Sequence, residues 1–317
     1  MGVCKRLVAV GVGCLALSGC SRDEAKGNAA GPGVAQTVSL LGTPLYSVEL
    51  PPKVQAEREK NLAAAQRGYE ADPRNEDRII WLGRRLAYLS EFKDAIDVYT
   101  DGLALHPESH KLLRHRGHRY ISLRRFDDAI TDLDQAAKLI EGRPDQVEPD
   151  GMPNPQNIPT STSHSNIYYH LGLAHYLKGE LDEALAAYRR CMEFSTNNDM
   201  RCATSNWLYL TLKRLGRDGE AAEVLEPITA EMELLENFGY HRLLLLYKGE
   251  LAPPDLHGAG DDDIDDATVA YGTAAWHLYN GETAKAFALF RRLVEGPAWP
   301  AFGSIAAESE LARARWQ

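Results

Sequence analysis

The sequence has few cysteines, and after residue 17 it has no long apolar run. Five cysteines among 317 residues are too few for a small scaffold held together by disulfides. No stretch beyond Leu17 approaches the roughly 20 apolar residues of a membrane-spanning helix, which excludes an internal transmembrane segment. Nucleophile, phosphate-loop and zinc-protease motifs are also absent. We therefore expect no catalytic residues, no metal site, no cofactor and no enzymatic activity.

The charge balance is acidic and excludes a further class of partner. The formal net charge is −10, and 44% of the residues are apolar, which is ample for a packed core. Cleavage after residue 19 would remove Lys5 and Arg6 and no acidic residue, so that the net charge would fall to −12. Because nucleic acid is itself anionic, we expect no nucleic-acid partner.

The N-terminus carries an export and lipidation pattern. Lys5 and Arg6 precede an apolar run with the length of a secretory signal core, which is too short to span a bilayer. Residues 17–20 (LSGC) then place a small residue before a cysteine. This pattern predicts a signal peptide at 1–19 and lipid on Cys20, as in an exported bacterial lipoprotein. An ordinary signal peptide with a chance cysteine is the alternative.

The expected anchor also predicts a location. Ser21 follows the cysteine, where an aspartate would favour retention at the inner membrane in well-studied bacteria. We therefore expect the periplasmic face of the outer membrane. Residues 20–55 begin with a small, polar and glycine-rich stretch, which predicts a flexible tether. The membrane is thus an expected partner through lipid alone.

A second pattern recurs every 34 residues. Gly83 recurs as Gly117, and Ala95 recurs as Ala129. Apolar and aromatic residues surround each pair, and the pattern resembles the tetratricopeptide repeat, a helix–turn–helix unit of this length. Later units with similar small and aromatic positions begin near Tyr168, Leu208 and Tyr271.

The resemblance implies an all-α fold, a right-handed superhelical solenoid of antiparallel helix pairs. Each pair is too small to bury its own apolar face, so neighbouring pairs share a core, and small residues let the helices approach closely. The expected segments are a cap helix with units one and two at 56–140, a proline-rich inserted loop at 141–165, units three and four at 166–236, and degenerate repeat-like helices with a C-terminal cap at 237–317. The inserted loop is either ordered against the repeats or solvated.

The resemblance also implies a binding surface, because inner-facing positions of the first helix in each pair contact partner peptides in this family. The matching positions are Arg84, Tyr88, Lys111, Arg114, His118, Asn166, Tyr169, Tyr176, Asn206, Lys213 and Arg214. Arginine binds carboxylates bidentately and tyrosine offers rigid contact area, so we expect an extended or C-terminal peptide of acidic character. Ordinary solvated basic residues are the alternative. The carboxylate clamp of chaperone-binding members is not reproduced, so a chaperone tail is not expected.

Three smaller features leave alternatives open. Cys191 and Cys202 lie eleven residues apart and either form a disulfide or remain separate, with Cys191 packing as a small apolar side chain. Four histidines between residues 106 and 118 lack a third ligand at a suitable spacing, which favours peptide or surface roles over metal binding. The acidic run 261–266 lacks the spacing of a calcium loop and favours a helix N-terminus.

Anchor, tether and repeats together resemble the NlpI-type envelope adaptor lipoproteins. Residues 205–210 (SNWLYL), 221–225 (AAEVL) and 276–290 carry the likeness. It implies a non-catalytic scaffold that binds protein or peptide partners in the envelope. A pilotin-like or outer-membrane assembly lipoprotein is the alternative, and a cryptic enzyme is a weaker one because no convergent acid–base set is present. A homodimer is also left open.

Overall fold

The structure, a computed structural model, describes residues 33–256 and 263–315, with the side chains of 263–266 excepted. These ranges form a solenoid of antiparallel helix pairs, which confirms the expected all-α class. A short hairpin of β1 (Thr37–Val38) and β2 (Pro44–Leu45) precedes the helices. The helices are α1 (Pro52–Ala71), α2 (Glu76–Tyr88), α3 (Phe92–Leu105), α4 (His110–Ser122), α5 (Phe126–Ile140), α6 (Ser163–Lys178), α7 (Leu181–Glu193), α8 (Asn198–Arg214), α9 (Asp218–Leu225), α10 (Phe238–Lys248), α11 (Asp263–Tyr279), α12 (Thr283–Val294) and α13 (Phe302–Ala314).

The small residues of the repeat allow the two helices of a pair to touch. A Cβ added at Gly83 would lie 2.3 Å from the Tyr99 ring, and one added at Gly117 would lie 2.8 Å from Leu133 Cγ. The same contact recurs between Gly172 in α6 and the Tyr188 ring in α7, again at 2.8 Å. Each glycine thus faces a large buried side chain sixteen residues further along, which explains the periodic small position.

The turn within each pair uses a left-handed backbone. Gly179, Gly216 and Gly281 have φ values of 95°, 69° and 81°, and glycine adopts this region without strain. Ser90 and Arg124 hold the equivalent turns at φ 62° and 63°. A side chain in this region is unfavourable unless its surroundings fix it. At Arg124 those surroundings are the C-terminal helix.

Helix α13 folds back towards the first helices of the pairs instead of only covering the end of the solenoid. It packs on α11 and α12 and also reaches α6. The guanidinium of Arg124 donates to both carboxylate oxygens of Glu308 at 3.1 and 2.7 Å, and both side chains are buried. Arg313 donates to the carbonyl of Leu177 at the end of α6, at 3.0 Å. The expected C-terminal cap therefore also covers inner surface of the solenoid.

The tether expected at residues 20–55 is wrong for its second half. From residue 35 the chain is hydrogen-bonded to the repeats: Gln36 donates to Glu91 at 3.0 Å, and Thr37 donates to the Leu123 carbonyl at 2.9 Å. The backbone amide of Leu40 donates to Glu308 at 2.6 Å. Two polar side chains of this stretch thus donate to inter-helix turns, and the backbone amide of Leu40 donates to α13. Helix α1 then begins at Pro52, inside the expected tether.

The residues of the expected lipid anchor are not among those that the structure describes. The signal peptide at 1–19 and Cys20 lie outside the described residues, and so do the acidic side chains of 261–266. Within the ranges that are described, none of the helices has both the length and the apolar character needed to cross a bilayer.

Candidate functional site

The proline-rich stretch at 141–162, between α5 and α6, is ordered and lies on the inner surface of the first repeats. We call it the inserted segment, and we call the surface formed by the inner sides of α2, α4, α6 and α8 the concave face. The base of the inserted segment is closed by an antiparallel bridge between Val147 and Thr162. The Glu148 amide donates to the Ser161 carbonyl at 3.0 Å. This closure holds the side chain of Glu148 towards α4 and α6.

Glu148 fills a carboxylate site made by three side chains of the concave face. Its Oε1 lies 3.1 Å from Arg114 Nη2 and 3.5 Å from His115 Nε2. Its Oε2 accepts from Asn166 Nδ2 at 3.0 Å. All four side chains are largely shielded from water, so the ion pair with Arg114 is stronger than an exposed one.

The imidazole of His115 completes this site in its neutral form. Burial, with the Arg114 cation alongside, lowers the pKa of His115 well below its ordinary value. His115 Nδ1 therefore accepts from Arg114 Nη1 at 2.8 Å, and the proton is assigned to Nε2, which faces Glu148. The histidine thus orients the arginine without adding a second positive charge.

The residues after Glu148 are bound through their backbone. Arg84 Nη1 donates to the Pro149 carbonyl at 2.7 Å, and Arg85 Nη1 donates to the Gly151 carbonyl at 3.0 Å. A Cβ added at Gly151 would lie 1.7 Å from the hydroxyl of Tyr88. Helix α2 thus binds two backbone carbonyls of the extended segment, and the glycine at the third position after the glutamate leaves room for the Tyr88 hydroxyl.

The far side of the inserted segment is attached to the loop before α10. Asn154 donates to Glu236 at 3.2 Å, and Thr160 donates to the same carboxylate. That loop is fixed by Asp199, which is 3% exposed and accepts from the amides of Glu236 and Asn237 at 2.9 Å. The inserted segment thus spans the concave face from α2 to the start of α10.

Two buried polar atoms at this contact are left without hydrogen bonds. They are Arg114 Nε and Asp150 Oδ2, which have no partner among the described residues. Burial, with Glu236 nearby, raises the pKa of Asp150 to about 6. Unpaired buried polar atoms cost free energy, so the inserted segment satisfies this surface incompletely.

Three other residues of the expected binding surface lie in the core. Tyr169, Tyr176 and Asn206 are buried at 7%, 0% and 1% exposure, and each makes hydrogen bonds inside the protein. The hydroxyl of Tyr169 lies 2.9 Å from that of Tyr240, and that of Tyr176 lies 2.7 Å from that of Tyr271. These three are core residues, so their expected contact with a partner is not available in this conformation. Repeat register alone does not show how closely later helices cover units three and four.

Helix α13 covers two further expected residues. The ring of His118 lies 4.3 Å from that of His170 and 5.2 Å from that of Phe302. Arg214 lies 3.7 Å from Glu310 and donates to the Tyr176 carbonyl at 3.2 Å. The expectation that these side chains face an open groove is therefore wrong in this conformation.

Two lysines of the expected surface remain partly exposed. Lys111 lies 4.0 Å from Asp77, and Lys213 lies 2.5 Å from Asp218. Both carboxylates are well exposed, so these are weak surface pairs. The lysines stand at two separated points, and only the group around Arg84 and Arg114 forms a concentrated site.

The cysteines and histidines do not add a second site. Cys191 and Cys202 are both free and buried, so the disulfide that their spacing allowed is not formed. The Cys191 thiol contacts the Ser165 carbonyl at 3.3 Å, as a packed side chain. His106 contacts the Arg74 carbonyl at 2.7 Å, away from His115. Within the described ranges, no group of three or more His, Cys, Asp or Glu side chains is arranged to hold a metal.

Several residues of this arrangement were missed in the sequence. His115 lines the carboxylate site and Glu148 fills it. Arg85 donates to the Gly151 carbonyl, and Glu308 pairs with Arg124. The run Glu148-Pro149-Asp150-Gly151 is acidic, and it belongs to the same chain as the basic inner surface. It can therefore reach that surface without a second molecule. That complementarity was the available signal. No sequence pattern near Glu308 indicates that it pairs with Arg124, which lies 184 residues earlier.

Comparison with known proteins identifies the repeat. Two family models, both described as tetratricopeptide repeat, match residues 82–146 and 165–198. A BBSome complex member, BBS4 of Bos taurus, is 27% identical over 177 residues, or 56% of this chain and 30% of that protein. Heat shock protein STI1 of Saccharomyces cerevisiae is 26% identical over 148 residues, or 46% and 21%. The chain thus matches less than a third of the length of these curated relatives.

Two solved structures are similar to this chain at low sequence identity. PilF of Pseudomonas aeruginosa is 14% identical, with a TM-score of 0.46, covering 76% of this chain and 85% of that one. YrrB, described as a TPR protein with an unusual peptide-binding site, is 14% identical, with a TM-score of 0.42, covering 74% and 92%. The matched segments and the paired helices together make this chain an all-α tetratricopeptide-repeat solenoid, a fold that serves as a scaffold for binding proteins and peptides.

Proposed function

We propose that this protein is a non-catalytic scaffold that binds an acidic, extended peptide at the α2–α4 part of the concave face. The observation that carries this proposal is the carboxylate site of Arg114, His115 and Asn166, which already holds Glu148. Arg84 and Arg85 extend that site with donors for two backbone carbonyls. A surface of this kind recognises a carboxylate side chain and the extended backbone that follows it.

The experiment is a pull-down from an envelope extract with a charge-reversed surface. Arg84→Glu with Arg85→Glu should abolish capture of partners, because both residues are partly exposed and their loss removes the two carbonyl donors. Arg291→Glu with Arg292→Glu is the matched control, an adjacent exposed pair on α12. The same set of captured proteins from the wild type and from the first variant would refute the proposal, provided that both retain the wild-type circular dichroism.

We further propose that the scaffold is a lipid-anchored envelope protein of the NlpI type. Residues 17–20 and the cationic start support this proposal. A lipid on Cys20 would hold the repeats near the membrane and raise their effective concentration for envelope partners at the periplasmic face of the outer membrane. The described domain begins at residue 33, so residues 20–32 would connect lipid to hairpin.

Membrane retention tests the anchor separately from the binding surface. Cys20→Ala should leave the melting temperature unchanged and move the protein from the membrane pellet to the soluble fraction. Cys14→Ala, in the apolar run before the expected cleavage site, should remain in the pellet. A Cys20→Ala protein that stays in the pellet would refute lipidation at this residue.

A further inference from the structure

The inserted segment binds the concave face in the way a separate peptide would. Its contacts with α2 and α4 are made by one carboxylate, two backbone carbonyls and one glycine: Glu148, Pro149 and Gly151. Its own large apolar side chains point away, since Val147, Met152 and Ile158 are 65%, 52% and 51% exposed. A loop whose role was to complete the core would bury such side chains.

We propose that residues 146–152 are a ligand held in cis, and that a partner peptide with a glutamate and a glycine three residues later binds by displacing them. This inference rests on the proposed function, because it assumes that the site has a partner in trans. The inserted segment then acts as a built-in competitor. It keeps the site closed until a partner offers the same contacts with better complementarity.

The selectivity follows from the four contacts. The Arg114–His115–Asn166 site accepts a carboxylate, and a glutamine would lose the charge-assisted bond to Arg114. The Tyr88 hydroxyl favours glycine at the third position after the glutamate, because a Cβ there would lie 1.7 Å from that oxygen and the tyrosine would have to move. The ligand class is therefore an acidic peptide of pattern Glu-x-x-Gly.

The cis contact is suited to displacement because it is incomplete. Arg114 Nε and Asp150 Oδ2 are buried without partners in the part of the chain that the structure describes, and both Glu148 and Glu236 repel the Asp150 carboxylate. A trans peptide with a neutral residue in place of Asp150 would remove that repulsion. Because only the open fraction of the protein binds ligand, opening the segment raises apparent affinity in proportion.

The test measures binding of a labelled peptide with the sequence of residues 145–152 (DQVEPDGM) to the full chain. Gly151→Val in the protein should expel the inserted segment, since the Val side chain would overlap Tyr88. We expect this variant to bind the peptide at least tenfold more tightly than the wild type. Gly219→Val is the matched control, because a Cβ there meets nothing within 4 Å, and it should bind as the wild type does.

A second peptide tests the chemistry of the site. The same peptide carrying Glu148→Gln should lose at least tenfold in affinity for the Gly151→Val protein, because it keeps the shape and removes the charge. Equal binding of the two peptides would overturn the assignment of a carboxylate site.

Hydrogen exchange separates the outcomes. If amides 148–163 lose protection in Gly151→Val and the peptide still fails to bind, the cis ligand inference is wrong, whereas the pull-down above would still decide the proposed function. If protection is unchanged, Glu148→Arg provides a second opening variant through repulsion from Arg114. Retained protection in both variants would show a structural loop and overturn the proposal.

Discussion

At the scale of single residues, the close approach of the two helices in a pair depends on a few glycines. Gly117→Leu should lower the free energy of unfolding by about 3 kcal/mol or more, because overpacking a filled core typically costs about 1–3 kcal/mol and the new Cβ alone would lie 2.8 Å from Leu133. Urea denaturation followed by circular dichroism measures the change. Gly68→Leu, in α1 with nothing within 4 Å of the added Cβ, should be neutral or stabilising. Equal stability of Gly117→Leu and the wild type would contradict the contact.

Asp150 makes the docking of the inserted segment depend on pH. Its pKa is raised to about 6, first by burial and then by Glu236, while Arg84 and Arg114 act in the opposite direction and Glu148 adds to the rise. The docked segment thus binds a proton more tightly than the free segment, so docking is strongest below the ordinary aspartate pKa and weakens as pH rises through about 6.

We therefore expect slower exchange of amides 148–163 at pH 5 than at pH 7, after correction for intrinsic rates. Asp150→Asn should remove this difference and keep the segment docked at both values. A pH difference that persists in Asp150→Asn would assign the effect to another group.

At the scale of elements, the docking of α13 includes a buried ion pair between Arg124 and Glu308. Glu308→Leu would leave the Arg124 guanidinium buried without its carboxylate, which typically costs about 3–5 kcal/mol. Adding Arg124→Gly should recover part of that loss, because it removes the stranded charge and suits the φ of 63°. Thermal unfolding of the two variants gives the comparison, with Glu295→Leu as an exposed control. A double variant less stable than Glu308→Leu would contradict this account.

The sequence predicted the helical pairs well, but it did not predict where α13 and the inserted segment pack. Gly83, Gly117 and Gly172 mark local contacts at a fixed spacing, so the periodicity alone predicts their role. The positions of α13 and the inserted segment depend on pairs such as Arg124 with Glu308, which are remote in sequence. Consequently the basic half of the concave face was identified, whereas Tyr176 and Asn206 were expected to face a partner and instead lie in the core.

At the scale of the whole molecule, the two ends of the described domain are joined. Leu40 and Glu308 are linked by a hydrogen bond, and Trp299 Nε1 donates to the Tyr46 carbonyl at 2.8 Å. An open repeat array unfolds approximately as a sum of neighbouring units. Contacts between its ends couple those units, so we expect one cooperative transition for this domain.

Truncation tests that coupling. A chain that ends at Pro300 lacks α13 and should show separate urea transitions by tryptophan fluorescence and circular dichroism, with faster exchange of the amides at 36–46. A chain that ends at Arg315 keeps α13 and should retain coincident transitions. Coincident transitions in the shorter chain would show that the ends contribute no cooperativity.

The contact between Leu40 and Glu308 also sets an order of events during folding. It joins residues 268 positions apart, and closing so long a loop has an entropic cost that nearby contacts do not have. The hairpin at 37–45 is made early in synthesis and meets Leu123 in the α4–α5 turn, yet its partner Glu308 arrives only with α13. The contact at Leu40 is therefore the last hydrogen bond of this hairpin to form, and the edge around Leu40 stays accessible to proteases until α13 has docked.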